Sequence, residues 1–133
     1  MKIIILGAGQ VGSTVAENLV RENYAITVVD TDAQKLADLQ NRLDLRTVPG
    51  AAGHPDVLRE AGGEAAALLL AVTNSDETNI VACTIANALF HTPTKIARIR
   101  AANYLAHPEI FRQDVLPVDV IISSIGVMPA IGS

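Results

Sequence analysis

The residues best placed to do chemistry in this chain are glycines and a carboxylate rather than nucleophiles. Gly7, Gly9 and Gly12 complete G-x-G-x-x-G within the run Gly7-Ala8-Gly9-Gln10-Val11-Gly12. Between a strand and a helix, the first glycine of such a run permits the turn, the second lets backbone approach a pyrophosphate, and the third lets helix pack on strand. A helix beginning there points free N–H groups and its positive dipole end at one spot, so the ligand it favours is an anion, a phosphate above all. Asp30, followed by Thr31, stands near the interval at which a carboxylate accepts hydrogen bonds from ribose hydroxyls. A plainer account makes the glycines a mere turn and Asp30 a solvated strand end. It leaves the interval between the two features unexplained.

Two further pairs have two readings each. Thr73 and Asn74 follow an apolar run, at a strand's carboxyl end where open α/β sheets bind ligands. Asn74 and Glu77 also stand at capping-box spacing, so helix capping accounts for them equally well. Arg98 and Arg100 are two apart on a predicted strand and therefore point the same way. They either fork onto a phosphate or serve as surface or sheet-edge charges. His54, His91 and His107 have no clustered co-ligands and read as solvated or capping residues rather than a metal site. Cys83 lies in an apolar helical stretch with nothing beside it to stabilise a thiolate, and reads as core.

The elements that must hold these residues alternate. A continuous apolar run over 3–6 predicts a parallel strand buried on both faces, and the glycine run opens a helix. A second strand over 25–29 ends at Asp30, and a crossover helix follows over 32–41, its pattern placing Leu36, Leu39 and Leu43 on one face. The pattern then predicts a strand over 45–48, a short helix over 54–61 stopped by Gly62-Gly63, and a buried strand over 65–72. A helix over 75–90, apolar nearly all round, must be covered on more than one side, by the sheet and by another helix or subunit. A fifth strand over 94–99, a helix carrying Tyr104, Leu105, Ile110 and Phe111, and a sixth strand over 115–122 complete the series. Residues 124–133 carry no clear period and read as a tail or a truncation point. The fold class is α/β, a doubly wound parallel sheet with helices on both faces.

Composition narrows the functions. The 133 residues suit one domain, and with half of them hydrophobic but only two tyrosines and two phenylalanines the core must be aliphatic. A net charge of −4 and a pI near 5.2 argue against a nucleic-acid footprint. No run approaches a membrane span, and Gly7 interrupts the first apolar run before a signal-peptide core forms. The chain reads as cytoplasmic, with any membrane role exercised through a partner.

From residue 1 to about 123 the chain resembles the N-terminal nucleotide-binding domains of TrkA proteins, the KTN or RCK domains of regulatory subunits in Trk potassium-uptake systems. The resemblance rests on MKIIILGAGQVG, ITVVDTD, HPDVLREAG, AVTNSDETNIVAC and IARIR. It implies a six-stranded Rossmann-like sheet, assembly as a homo-oligomer, NAD or NADH as ligand with ATP or ADP at the same site, and peripheral control of a Trk-type potassium transporter without consumption of the nucleotide. The residues it implicates are Gly7, Ala8, Gly9, Gln10, Val11, Gly12, Asp30, Thr31, Thr73 and Asn74, with Arg98 and Arg100 as phosphate contacts. Two departures stand out. Gly50 is followed by Ala51 and Ala52, where relatives commonly carry a polar residue near the adenine, and the crossover helix expected after the sixth strand has no counterpart, which suggests a fragment. The rival function is an NAD-binding piece of a dehydrogenase, but hydride transfer needs a substrate pocket and a proton donor, commonly from a second domain. A nucleotide-binding interaction domain of some other complex is separated from the first reading by the resemblance alone.

Overall fold

A computed structural model describes residues 1–130. Strands β1 (Lys2–Leu6), β2 (Ala25–Asp30), β3 (Arg46–Pro49), β4 (Leu68–Ala71), β5 (Thr94–Arg98), β6 (Val120–Ser123) and β7 (Gly126–Pro129) form one sheet in the order β3-β2-β1-β4-β5-β6-β7. The first six run parallel and β7 pairs antiparallel with β6. Helices α1 (Gln10–Arg21), α2 (Ala33–Arg42), α3 (Pro55–Glu60), α4 (Asp76–Ile85) and α5 (Ala102–Leu105) make the connections. The α/β doubly wound class expected from the alternation is present, with the strand order reversing between β1 and β4.

Because β1 is central and covered on both faces, its side chains serve two cores. Ile4 and Leu6 pack with Leu69, Ile80 and Ala82, while Ile3 and Ile5 pack with Ile26, Val28, Leu36 and Leu39. Period-two alternation divides one apolar strand between two layers of helices.

The structure departs from the expected elements in several places, most of them at proline or glycine. Residues 124–130 are no plain tail: a turn at 124–125 and Gly126, with φ +133°, return the chain as β7. Residues 131–133 of the expected tail lie outside those described. The sixth strand begins at Val120 rather than at 115, since Pro117 has no N–H for a ladder. Pro108 likewise divides the helix expected after β5 into α5 and a single 3₁₀ turn, Pro108–Ile110. The long helix over 75–90 becomes α4 followed by a wide π turn, Ala86–Phe90, ended by His91 with φ 51°. Its exposed side carries Val81 and Leu89, 45% and 50% accessible.

Away from the carboxyl rim, Lys95 is 2% exposed and its Nζ lies 3.2 Å from Asp119 Oδ2 while donating to the Thr92 carbonyl at 3.0 Å. Asp119 also accepts from the Lys95 amide at 2.7 Å and from Gln113 at 2.8 Å. This ion pair fastens β5 to the start of β6.

Candidate functional site

All six parallel strands end on one rim, and the loops there enclose a cleft of about 670 Å³, within the range of small-molecule sites. The turn after β1 forms its floor. Gly7, at φ +109°, occupies a conformation that L side chains rarely adopt and donates its N–H to the Val29 carbonyl at 2.8 Å. A Cβ on Gly12 would run into the Gly7 carbonyl oxygen, whereas a Cβ on Gly9 would meet nothing within 4 Å. The third glycine is thus required by the fold. The second leaves room for something other than the protein.

Gly9 is the N-cap of α1, with no side-chain cap and no acidic residue in the first turn. The other long helices differ. Asp32 caps α2 through the Gln34 and Lys35 amides, and Ser75 caps α4, with Asp76 and Glu77 in its first turn. Backbone donors at the start of α1 therefore keep their capacity for an external anion.

Asp30 faces this turn. Its carboxylate accepts from the Ala8 amide at 2.7 Å and the Asp32 amide at 2.8 Å, one bond to each oxygen. Carboxylate oxygens have further lone pairs, so Asp30 is held in place by the two backbone loops and still able to accept from a diol. Thr31, Asp32 and Lys35 line the cleft beside it, as do Ala51, Ala52 and His54 from the loop after β3. His54 is the N-cap of α3 but makes no side-chain cap bond. Among the described residues no group of three His, Cys, Asp or Glu could hold a metal.

The opposite wall comes from β4 and β5. Gly7, Gly9, Gln10, Val11, Thr73, Asn74 and Arg98 all line the cleft with Asp30; Ala8 and Gly12 lie behind the turn, Ala8 bonded to Asp30 and Gly12 packed against Gly7. Arg100 stands apart. The strand ends at Arg98, so the alternation that would align the two arginines stops there. Arg100 instead donates through Nη2 to the Asn74 carbonyl at 2.7 Å and lines a shallow neighbouring depression with Asp76 and Glu77. Asn74 does not cap α4; Ser75 does, accepting from the Thr78 amide at 3.1 Å. Thr73 borders the cleft, yet its amide and hydroxyl both donate to Asn79 Oδ1, at 3.0 and 2.7 Å. Its donors face α4 rather than the cleft. Sequence reasoning missed Asn79, because its partners, mostly backbone groups, are brought close only by the tertiary fold; it also missed Ser75, Lys35 and the lining role of His54.

The TrkA-N domain family matches residues 3–124. The chain belongs to that family. It is 60% identical over 123 residues to the Trk system potassium uptake protein TrkA of Halomonas elongata, and 58% identical over 124 residues to that of Vibrio alginolyticus. In each case the match covers 92% of this chain and 27% of the relative, so the chain spans about a quarter of these relatives' length. Among solved structures, the TrkA-N domain of the inner membrane protein ybaL from Escherichia coli superposes with a TM-score of 0.81 at 20% identity, covering 93% of this chain and 87% of that one. The NAD-bound GsuK channel gives 0.74 at 22% identity, over 90% of this chain and 21% of the channel. The ADP-bound GsuK structure gives 0.74 at 21% identity, over 92% and 31%. At such identities these structures support the fold of the TrkA-N domain.

Proposed function

We propose that the cleft of this TrkA-N domain binds an adenine nucleotide, NAD or NADH in the first place with ATP or ADP competing for the same site, and that occupancy regulates potassium uptake. The observation that carries this reading is the uncapped start of α1 behind Gly9, opening on the same cleft as a pre-held Asp30. Phosphate at the turn and ribose at Asp30 are the two demands of an adenosine nucleotide, and the residues present fit both. Arg98 on the far wall supplies a charge for a distal phosphate. The base would lie towards Ala51 and Ala52, which offer apolar surface and backbone rather than side-chain hydrogen bonds.

The nucleotide is sensed and not consumed. The protein acts as a homo-oligomeric regulatory module attached peripherally, from the cytoplasmic side, to a Trk-type membrane transporter. Supporting this are family membership and relatives that are Trk potassium uptake proteins. Regulation requires two arrangements of the assembly with different nucleotide affinity, since a ligand that binds both equally shifts nothing. A ligand reaching Arg98 and one stopping at the glycine turn differ in the contacts they make, which is a basis for opposite effects.

Isothermal titration with NAD, NADH, ADP and ATP, on wild type and Asp30→Ala, tests the ligand assignment. Saturable binding that falls in the variant is expected. Flux through the reconstituted transporter with each nucleotide tests the regulatory role; flux indifferent to all four, or steady turnover of NADH, would overturn it.

A further inference from the structure

We propose that Asn79 is the positioning residue of the nucleotide cleft, fixing Arg98 and Thr73 as one wall so that ligands spanning from Asp30 to Arg98 are held more tightly than ligands that stop at the glycine turn. The inference rests on the nucleotide reading given above and deepens it. Asn79 is itself 0% exposed and contributes no surface to the cleft. Its Oδ1 accepts from the Thr73 amide at 3.0 Å and the Thr73 hydroxyl at 2.7 Å, and its Nδ2 donates to the Thr73 carbonyl at 3.2 Å and the Arg98 carbonyl at 2.8 Å. Two acceptor sites and two donors are the whole capacity of the amide. All are used on two chain positions whose side chains line the cleft. Backbone partners of fixed polarity also dictate which end of the amide is oxygen.

Asp76, three residues earlier and on the same face of α4, takes the Arg100 amide at 3.1 Å and the Ala101 amide at 2.7 Å. The exit of β5 is therefore gripped on its carbonyl side by Asn79 and on its amide side by Asp76. Arg98 lies between the rigid ladder of β5 and this grip, so its Cα has little freedom. Released from Asn79, the Arg98 carbonyl would lose its partner, leaving only the Ile99 amide's bond to the Ile122 carbonyl at 2.9 Å to hold that peptide, and the Thr73 amide would be left without an acceptor beside the cleft. A flexible arginine must be ordered by its ligand, which costs affinity.

Affinities for NADH and for AMP, measured on the whole chain, test this. Asn79→Asp keeps the acceptors and loses the donors; Asn79→Ser is a milder alternative. Either should weaken NADH about tenfold, the effect of one misplaced polar contact, and change AMP less than about twofold on the same argument. In an Arg98→Ala background the Asn79 substitution should cost NADH nothing more, because residues acting as one unit are not additive. Ile121→Val, a core change in β6, should leave the NADH to AMP ratio unaltered. Equal weakening of both ligands, or additivity with Arg98→Ala, overturns the proposal. Should both Asn79 variants fail to fold, hydrogen exchange of the Thr73 amide in wild type decides: NADH is expected to slow it more than AMP does, and equal protection overturns the proposal. Wild type that binds neither ligand would instead overturn the nucleotide reading itself.

Discussion

Gly9 and Gly12 stand three positions apart and should respond to the same substitution in opposite ways. A methyl on Gly9 meets no protein atom within 4 Å, so Gly9→Ala is expected to keep its thermal midpoint while nucleotide affinity falls at least about tenfold, since the methyl stands where a phosphate would approach. Gly12→Ala must displace the Gly7 carbonyl and should lose fold stability and binding together. Circular dichroism beside titration separates the two outcomes, and wild-type affinity in a folded Gly9→Ala variant would put the phosphate elsewhere. Asp30 leads to a preference: its carboxylate, with Asp32 beside it, repels a 2′-phosphate, so NADH should bind at least about tenfold more tightly than NADPH, about 1.4 kcal/mol. Equal affinities in a direct comparison would refute this. Cys83 is a different matter, because burial pushes its thiol from 9.0 up to about 12, the charge of Lys95 opposing only in part. A folded-state value above the unfolded one means that the stabilisation is complete below pH 9 and is lost as pH rises from there towards 12. Urea midpoints of wild type should thus decline more steeply than those of Cys83→Ala across that window; parallel profiles would contradict it. Local constraints such as the glycines and Asp30 are legible in sequence because sterics and chain interval define them. Asn79 is not, as its bonds reach six residues back and nineteen forward.

At the level of elements, the inner strands were readable because strands buried on both faces cannot hide their composition, as the run Ile3-Ile4-Ile5-Leu6 shows. Ends were harder. Arg98 and Arg100 look equivalent until the strand is seen to stop between them, and β7 depends on a turn through Gly126 that no apolar period announces. Lys95 was invisible for another reason: a lysine at a strand's start normally reads as solvated, and only the approach of Asp119 permits it to be 2% exposed. Removing one partner of a buried pair leaves an uncompensated charge, so Asp119→Ala should cost about 3 kcal/mol by urea denaturation. Replacing both, in Lys95→Met with Asp119→Leu, should recover much of that loss. A single variant as stable as wild type would mean that water already screens the lysine.

For the whole molecule, polarity of the sheet divides labour. Parallel strands deliver the loops that line the cleft to one rim, while the Lys95–Asp119 pair sits at the other end. Val81 and Leu89 leave apolar surface on the helical layer, and self-association is the expected consequence. Light scattering at high concentration should give a mass above the monomer; a strictly monomeric species would count against assembly through this domain.

The strand order also has a consequence for the protein during its synthesis. The glycine turn and Asp30 both lie within the first thirty residues, and β1 can pair with β2 as soon as that much chain has left the ribosome. The other flank of β1 stays bare until β4 arrives, and the far wall is missing until Arg98. Between the emergence of β2 and that of β4 a growing chain therefore presents part of the proposed site and an open apolar strand edge, the condition in which unpaired edges invite wrong partners. A nucleotide held in the proposed way from Asp30 to Arg98 would stabilise only chains that have passed Arg98. Binding of that kind would act as a late seal on folding, and chains that stall before β5 would gain nothing from the contact at Arg98.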